Sequence, residues 1–127
     1  MTMPNAMGNI ATVMLPERVD SVTSSSVEAS MRAALHPGGR VIIDGSAVTY
    51  MSAAGVRVLA STLHRAEEVG TRVVFCRFAG AAADCLLVSG FTLLFDVAGS
   101  VEEAVERLRP NHAGGPEDRL HPRGSAG

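Results

Sequence analysis

Few residues in this chain have the type and spacing that chemistry needs. His36, His64, His112 and His121 are scattered, and none stands at metal-ligand spacing from a cysteine or carboxylate. No metal site is therefore expected. Asp44 follows a short apolar run, so it sits where a carboxylate at the carboxyl edge of a sheet could act on a ligand. No base and no phosphate-cradling glycine run accompanies it, and an aspartate there more simply accepts amide hydrogen bonds from its own loop. Cys76 and Cys85 could form a redox pair, or serve as two small buried hydrophobes. Free thiols are the expectation for a cytosolic chain. The remaining group is Ser52-Ala-Ala-Gly55. Small side chains at a helix start let another molecule approach closely, and the free amides there suit an anion, including a phosphoryl group. They could equally just seat the helix on a sheet. No catalytic set and no cofactor-binding pattern emerges, so binding is the expected activity.

The elements that must carry these residues alternate between strand and helix. Residues 9–15 are expected to be a strand, stopped by Pro16 because proline cannot donate to a ladder. Asp20 and Ser21 offer N-cap oxygens to a helix with Val27, Met31 and Leu35 on one face, flanked by Val22 and Ala34. His36-Pro-Gly-Gly39 ends it. Val41-Ile-Ile43 has the continuous apolar character of a strand buried on both faces. A helix is expected over 53–69, with Val56, Leu59, Leu63 and Ala66 inward and Gly70 as its left-handed stop. Residues 72–78 read as a strand, 81–89 as a short helix closed by Gly90, and 91–97 as a last strand. Ser100-Val-Glu-Glu103 is a capping box in front of Val101, Ala104, Val105 and Leu108, and Pro110 stops that helix.

Strands alternating with helices predict an α/β fold, a sheet covered by helices. With 127 residues and 46% hydrophobic content, one domain with a modest core is expected. Its bounds are read as 9–109, between a flexible N-terminus (1–8) and a disordered tail (110–127) rich in Gly, Pro, His and charge. A formal charge of −2 argues against a nucleic-acid binder. The eleven basic residues are all arginine, as GC-rich codon usage would give, and tryptophan is absent. No apolar run nears the roughly 20 residues that span a bilayer, and the N-terminus has neither a basic region nor an apolar stretch, so a cytoplasmic location without membrane partners is expected.

The stretch from Val41 to Gly55 resembles the STAS family of bacterial anti-sigma-factor antagonists. There the corresponding run is Asp-Leu-Ser-x-Val-x-Phe-[Met/Leu/Ile]-Asp-[Ser/Thr]-[Ser/Ala]-Gly. Asp44, Ser46, Val48, Tyr50, Met51 and Gly55 fit it. Ser52 stands at the acidic position, and Ala53 stands where the family carries its phosphorylated hydroxyl. Arg18-Val-Asp20 is similar to the family's Gly-x-[Leu/Ile]-Asp, with Glu17 replacing the glycine. Gly90-Phe91, Phe95 and Val97, followed by Ser100-x-Glu-Glu-Ala104, match its usual ending. The likeness spans about Ile10 to Leu108, and the chain begins one strand short of longer members.

The resemblance implies a STAS fold: a mixed, mostly parallel sheet of four to five strands with about four helices. It implies no catalysis. It implies a partner-switching regulator, active in stress response, that binds an anti-sigma factor with a histidine-kinase-like ATPase fold and so releases a sigma factor. The partner-binding residues it implies are Ser52, Ala53, Ala54, Gly55, Arg18 and Asp20. Arg57 joins them as an exposed cation near the helix start, where the helix dipole gives it no stabilising reason to be. No phosphosite is expected at Ala53, which leaves Ser52 as the hydroxyl at the tip. A monomer or weak dimer is expected. The alternative is a non-phosphorylated accessory or scaffold STAS subunit, for instance of a lipid-transport ATPase, with which Ala53 is equally compatible.

Overall fold

The computed structural model describes residues 10–91 and 96–109. The expectations for the two terminal segments, and for most of the strand read over 91–97, lie outside the described residues. Among the described residues these elements follow one another: β1 (Ile10–Met14), β2 (Arg18–Val19), α1 (Ser24–Ala33), β3 (Arg40–Asp44), β4 (Tyr50–Met51), α2 (Ala53–Val69), β5 (Arg72–Cys76), α3 (Gly80–Val88), β6 (Val97–Ala98) and α4 (Val101–Arg107). Four strands form one sheet in the order β1-β3-β5-β6. Among the described residues every ladder is parallel, as helical crossovers between successive strands require.

The reason for the unbroken apolar run in β3 is visible in its packing. Val41 and Ile43 join Val73 and Phe75 of β5 on one face. They meet Val27 and Met31 of α1, Val56, Leu59, Leu63 and Ala66 of α2, and Ala82 and Leu86 of α3. Ile42, Val74 and Cys76 point to the other face, against Ala98, Ala104 and Leu108 around α4. A central strand with helices on both sides has no face for polar residues. Leu59 and Phe75 are fully buried. Each contributes about 1.5–3 kcal/mol by leaving water.

Helix α2 spans the expected 53–69 and ends at Gly70, whose φ of 92° is left-handed. Other boundaries move for identifiable reasons. Helix α1 starts at Ser24, not directly after Asp20, because the Asp20 carboxylate accepts the amides of Val22 and Thr23 and holds a turn first. Val22 is thereby 87% exposed and off the apolar face where the periodicity had put it. Strand β5 ends at Cys76, two residues early, because Arg77 takes a φ of 64°. The helix expected over 81–89 runs one residue earlier at both ends. In the capping box, Ser100 Oγ accepts from the Glu103 amide at 3.0 Å, but Glu103 reaches the amide of Gly99, not of Ser100. That amide and the neighbouring Arg107 hold the Glu103 carboxyl below its usual range.

The sequence pattern missed β2 and β4. These two-residue strands pair in parallel, Arg18 with Tyr50 and Val19 with Met51, as a separate ribbon. Two residues are too few for any periodicity to register.

Candidate functional site

The ribbon leads straight into the start of α2. Ser52, the N-cap residue, donates its amide to Val19 O at 3.0 Å, extending the ribbon's ladder by one bond. Its Oγ accepts from the Gly55 amide at 3.3 Å. A serine cap of this kind stabilises a helix by about 1 kcal/mol. Behind it, Ala53 is exposed and Ala54 half-buried. Gly55 is buried, and a Cβ there would lie 2.3 Å from Val19 O. The glycine therefore lets α2 press onto β2 and holds the exposed residues in place; it does not itself face outward.

Arg18 and Tyr50 stand side by side on the ribbon. The Arg18 guanidinium lies 4.4 Å from the Tyr50 ring centroid, a cation–π contact, and its Nε donates to Asp20 Oδ2 at 3.1 Å. Asp20 Oδ1 accepts the Val22 and Thr23 amides. The Thr23 amide first, with help from Val22 and Arg18 and against a burial penalty, holds the Asp20 carboxyl below its ordinary value. The Thr23 hydroxyl donates to Arg18 O at 2.9 Å, tying the turn to the ribbon. Arg57, in the first turns of α2, is exposed and makes no hydrogen bond or ion pair among the described residues.

Six of the seven residues expected to bind a partner are thus gathered around one end of α2, with Arg57 just along the helix. Tyr50, 42% exposed, belongs with them by position. It fits the sequence motif, but nothing in the pattern says that its ring would lie under Arg18. Among the described residues the surface offers exposed Ala53, the half-buried Ala54 and the Arg18 cation stacked on Tyr50. It can dock another surface.

A second aspartate stands at the carboxyl edge of the main sheet. Asp44 Oδ1 accepts the Ser46 amide at 2.8 Å, as loop capping predicts. It also receives Arg77 Nε at 3.3 Å, and Arg77 Nη2 reaches Asp44 Oδ2 at 3.2 Å and Ser46 Oγ at 3.0 Å. Burial pushes the Asp44 carboxyl up, but Ser46 and Arg77 together more than offset it, and its pKa lies below the ordinary value. Neighbouring Cys76 is buried, and burial first, then the Asp44 carboxylate, push its thiol up to about 11. Such a thiol is protonated and inert at neutral pH. Cys76 and Cys85 are both free. Among the described residues no cluster of His, Cys, Asp or Glu could hold a metal ion. His64 is exposed on α2 beside Glu68, and His36 is exposed at the end of α1. His112 and His121 lie outside the described residues.

Comparison with known proteins gives the family of the chain. The family model described as the STAS domain matches residues 4–104. The chain belongs to the STAS family. This STAS chain is 31% identical over 92 residues to a Bordetella bronchiseptica protein named as an anti-sigma factor antagonist, BtrV, covering 72% of this chain and 79% of that one. Its fold is similar to that of an anti-sigma factor antagonist from Mycobacterium paratuberculosis, with a TM-score of 0.69, 23% identity, and coverage of 86% of this chain and 93% of the other. It is also similar to part of the murine solute carrier 26 anion transporter A9, with a TM-score of 0.71 and 16% identity, covering 81% of this chain but 18% of the transporter. At these identities the structural likenesses speak for the fold alone. No helix among the described residues is long and apolar enough to cross a membrane.

Proposed function

We propose that this STAS protein is an anti-sigma-factor antagonist. It binds an anti-sigma factor of histidine-kinase-like ATPase fold through the start of α2 and the Arg18–Tyr50 ribbon, and thereby frees a sigma factor. The observation that carries the reading is the small-residue opening of α2, exposed at Ala53 and half-buried at Ala54, set beside a stacked Arg18 and capped by Ser52. Small side chains beside an oriented Arg18–Tyr50 pair, with no catalytic set among them, suit protein docking, not turnover of a small substrate. The relationship to a protein named as an antagonist supports the same conclusion.

Ala53 has no hydroxyl, so docking here is not controlled by phosphate at that position. Gly55 and Asp20 act from beneath, by seating α2 and the turn; Ser52, Ala53, Ala54, Arg18 and Arg57 provide contact. The protein works as a monomer or weak dimer in the cytoplasm and catalyses nothing.

The test is reconstitution. The purified chain is added to a complex of sigma factor and its ATPase-fold anti-sigma factor, and free sigma factor is measured by gel filtration. Stoichiometric release is expected. Failure to release any sigma factor, together with tight association with a transporter ATPase, would replace this reading with the accessory-subunit one, to which the likeness with part of an anion transporter lends its fold.

A further inference from the structure

The two central strands of the sheet both begin on arginine. Arg40 of β3 and Arg72 of β5 are register partners in a parallel ladder, so their side chains leave one face from points about 4.8 Å apart. It is the face that Ile42 and Val74 turn toward α4. Arg40 Nη1 donates to Leu108 O at 3.0 Å, and Arg72 Nη2 donates to Arg107 O at 2.7 Å. Consecutive carbonyls thus hold the guanidiniums side by side. This caps the end of α4, but it leaves the remaining N–H donors of each fork without a partner among the described residues. Neither arginine has a carboxylate partner there either. The nearby acids are taken: Arg107 pairs with Asp96 and Glu103, and Arg109 with Glu106.

A cavity of about 430 Å³ opens beside the pair, lined by Gly38, Gly39, Arg40, Gly70 and Arg72. The glycines add no side chain, so the charges on its walls are the two cations. The C-terminal end of α4 opposes them with only about −0.5 of a charge. The walls are also preset. The Gly38 amide donates to Gly70 O at 2.9 Å, and the Arg72 amide to Gly39 O at 3.0 Å. Buried Thr71 ties the same two loops again: its Oγ1 accepts from the His36 amide at 2.9 Å and donates to His36 O at 2.7 Å. A site braced in this way loses little freedom when a ligand enters.

We propose that this cavity is a phosphate site, for the free ion or for the phosphate end of a small metabolite. A planar guanidinium grips two phosphate oxygens at once, and a pair of them suits a dianion. The volume lies within the range of small-molecule sites, roughly 300–1,000 Å³, and leaves room for a carbon skeleton beyond the phosphate. No aromatic ring lines it, so nothing there would hold a nucleobase by stacking. The site lies at the amino edge of the sheet, past the far end of α2. The 17 residues of that helix separate it from Ala53, about 25 Å at the usual rise. It stands whether or not the docking reading does.

The experiment titrates the isotopically labelled full chain with glycerol phosphate, with inorganic phosphate, and with sodium chloride at matched ionic strength, following the backbone amides by NMR. Saturable shifts at Gly38, Gly39 and Gly70, and none at Ala53, are expected with phosphate and absent with chloride. Tighter binding of glycerol phosphate assigns the site to a metabolite; otherwise it serves the free ion. Arg72→Gln should weaken binding about tenfold or more, because it removes one of the two forks. Its amide can still donate to Arg107 O, so the thermal midpoint should hold. Should Arg72→Gln unfold, Arg72→Lys decides: it keeps the charge, loses the fork, and should bind more weakly than wild type. Shifts that chloride reproduces, or an affinity that the folded variant leaves unchanged, would overturn the proposal and leave the arginines as caps of α4.

Discussion

Asp20 and Asp44 are built alike and used differently. Asp20 follows a strand and Asp44 ends one, and each accepts the amide two residues on, from Val22 at 3.0 Å and from Ser46 at 2.8 Å. Each pairs with an arginine. The difference is where that arginine comes from. Arg18 is two residues from Asp20 and its side chain is 61% exposed, spread over Tyr50. Arg77 is 33 residues from Asp44, and the Asp44 side chain is only 4% exposed. The first pair is local and shapes a surface. The second joins the end of β3 to the end of β5 and closes the fold. Arg77 also holds a left-handed φ of 64°, which costs a non-glycine residue roughly 1–2 kcal/mol. That cost persists because three contacts hold the guanidinium.

If this contrast is right, changes near Asp20 alter binding without stability, and changes near Asp44 do the reverse. The largest expected effect is on the binding side. Ala53→Glu should lower affinity for the anti-sigma factor about 100-fold, or ~2.7 kcal/mol, because it puts a long charged side chain among the small residues at the start of α2. A carboxylate is tolerated at a helix N-terminus, so the thermal midpoint should hold. Isothermal titration and a thermal melt read both. Equal affinity for the variant would mean that docking happens elsewhere.

On the stability side, Asp44→Ala should cost about 1–3 kcal/mol by urea titration, since it leaves the Ser46 amide and Arg77 unpaired. The half-exposed Arg77 keeps the figure below that of a fully buried pair. The wild type adds a pH signature. The Asp44 pKa is lowered on folding below 3.8, so its contribution is complete above about pH 5 and is lost as pH falls through the lowered folded value. The variant should lack that part of the acid dependence. A pH profile identical to wild type would show that Asp44 is not the group responsible.

Arg57→Ala sharpens the contrast at intermediate scale. The side chain has no partner among the described residues and lies in the first turns of α2, beside the proposed docking patch. Affinity should fall by roughly 1–2 kcal/mol at low salt, with stability unchanged or slightly raised. Unchanged affinity would return it to the ordinary solvated surface.

The smallest effect is expected for Arg77→Gly. The glycine removes the left-handed strain and the ion pair together, and the two terms oppose one another. Net stability should move by no more than about 1 kcal/mol, and partner affinity should be unaffected. A large loss of affinity would make the Asp44 corner part of the docking machinery and would break the comparison.

The order of the elements was legible because each buries a periodic apolar set. Val56, Leu59, Leu63 and Ala66 repeat at helical spacing, and Ser52 and Gly70 mark the ends chemically, so α2 could be bounded residue by residue. Val41-Ile-Ile43 announced a strand covered on both faces, and the motif around Asp44 to Gly55 carried the family. Such signals lie within a few residues of one another, and a local pattern can specify them. What depended on residues far apart could not be read this way. The ribbon has two residues in each strand, too short for a period, and it exists only because Val19 meets Met51 across 32 positions. Tyr50 lies under Arg18, and Gly55 under Val19 O, through that pairing alone. Arg77 adopts its left-handed turn because Asp44 and Ser46 wait at the edge of a different strand. Local spacing chose the pieces; long-range packing decided which aspartate would brace a surface turn and which would be sealed into the fold.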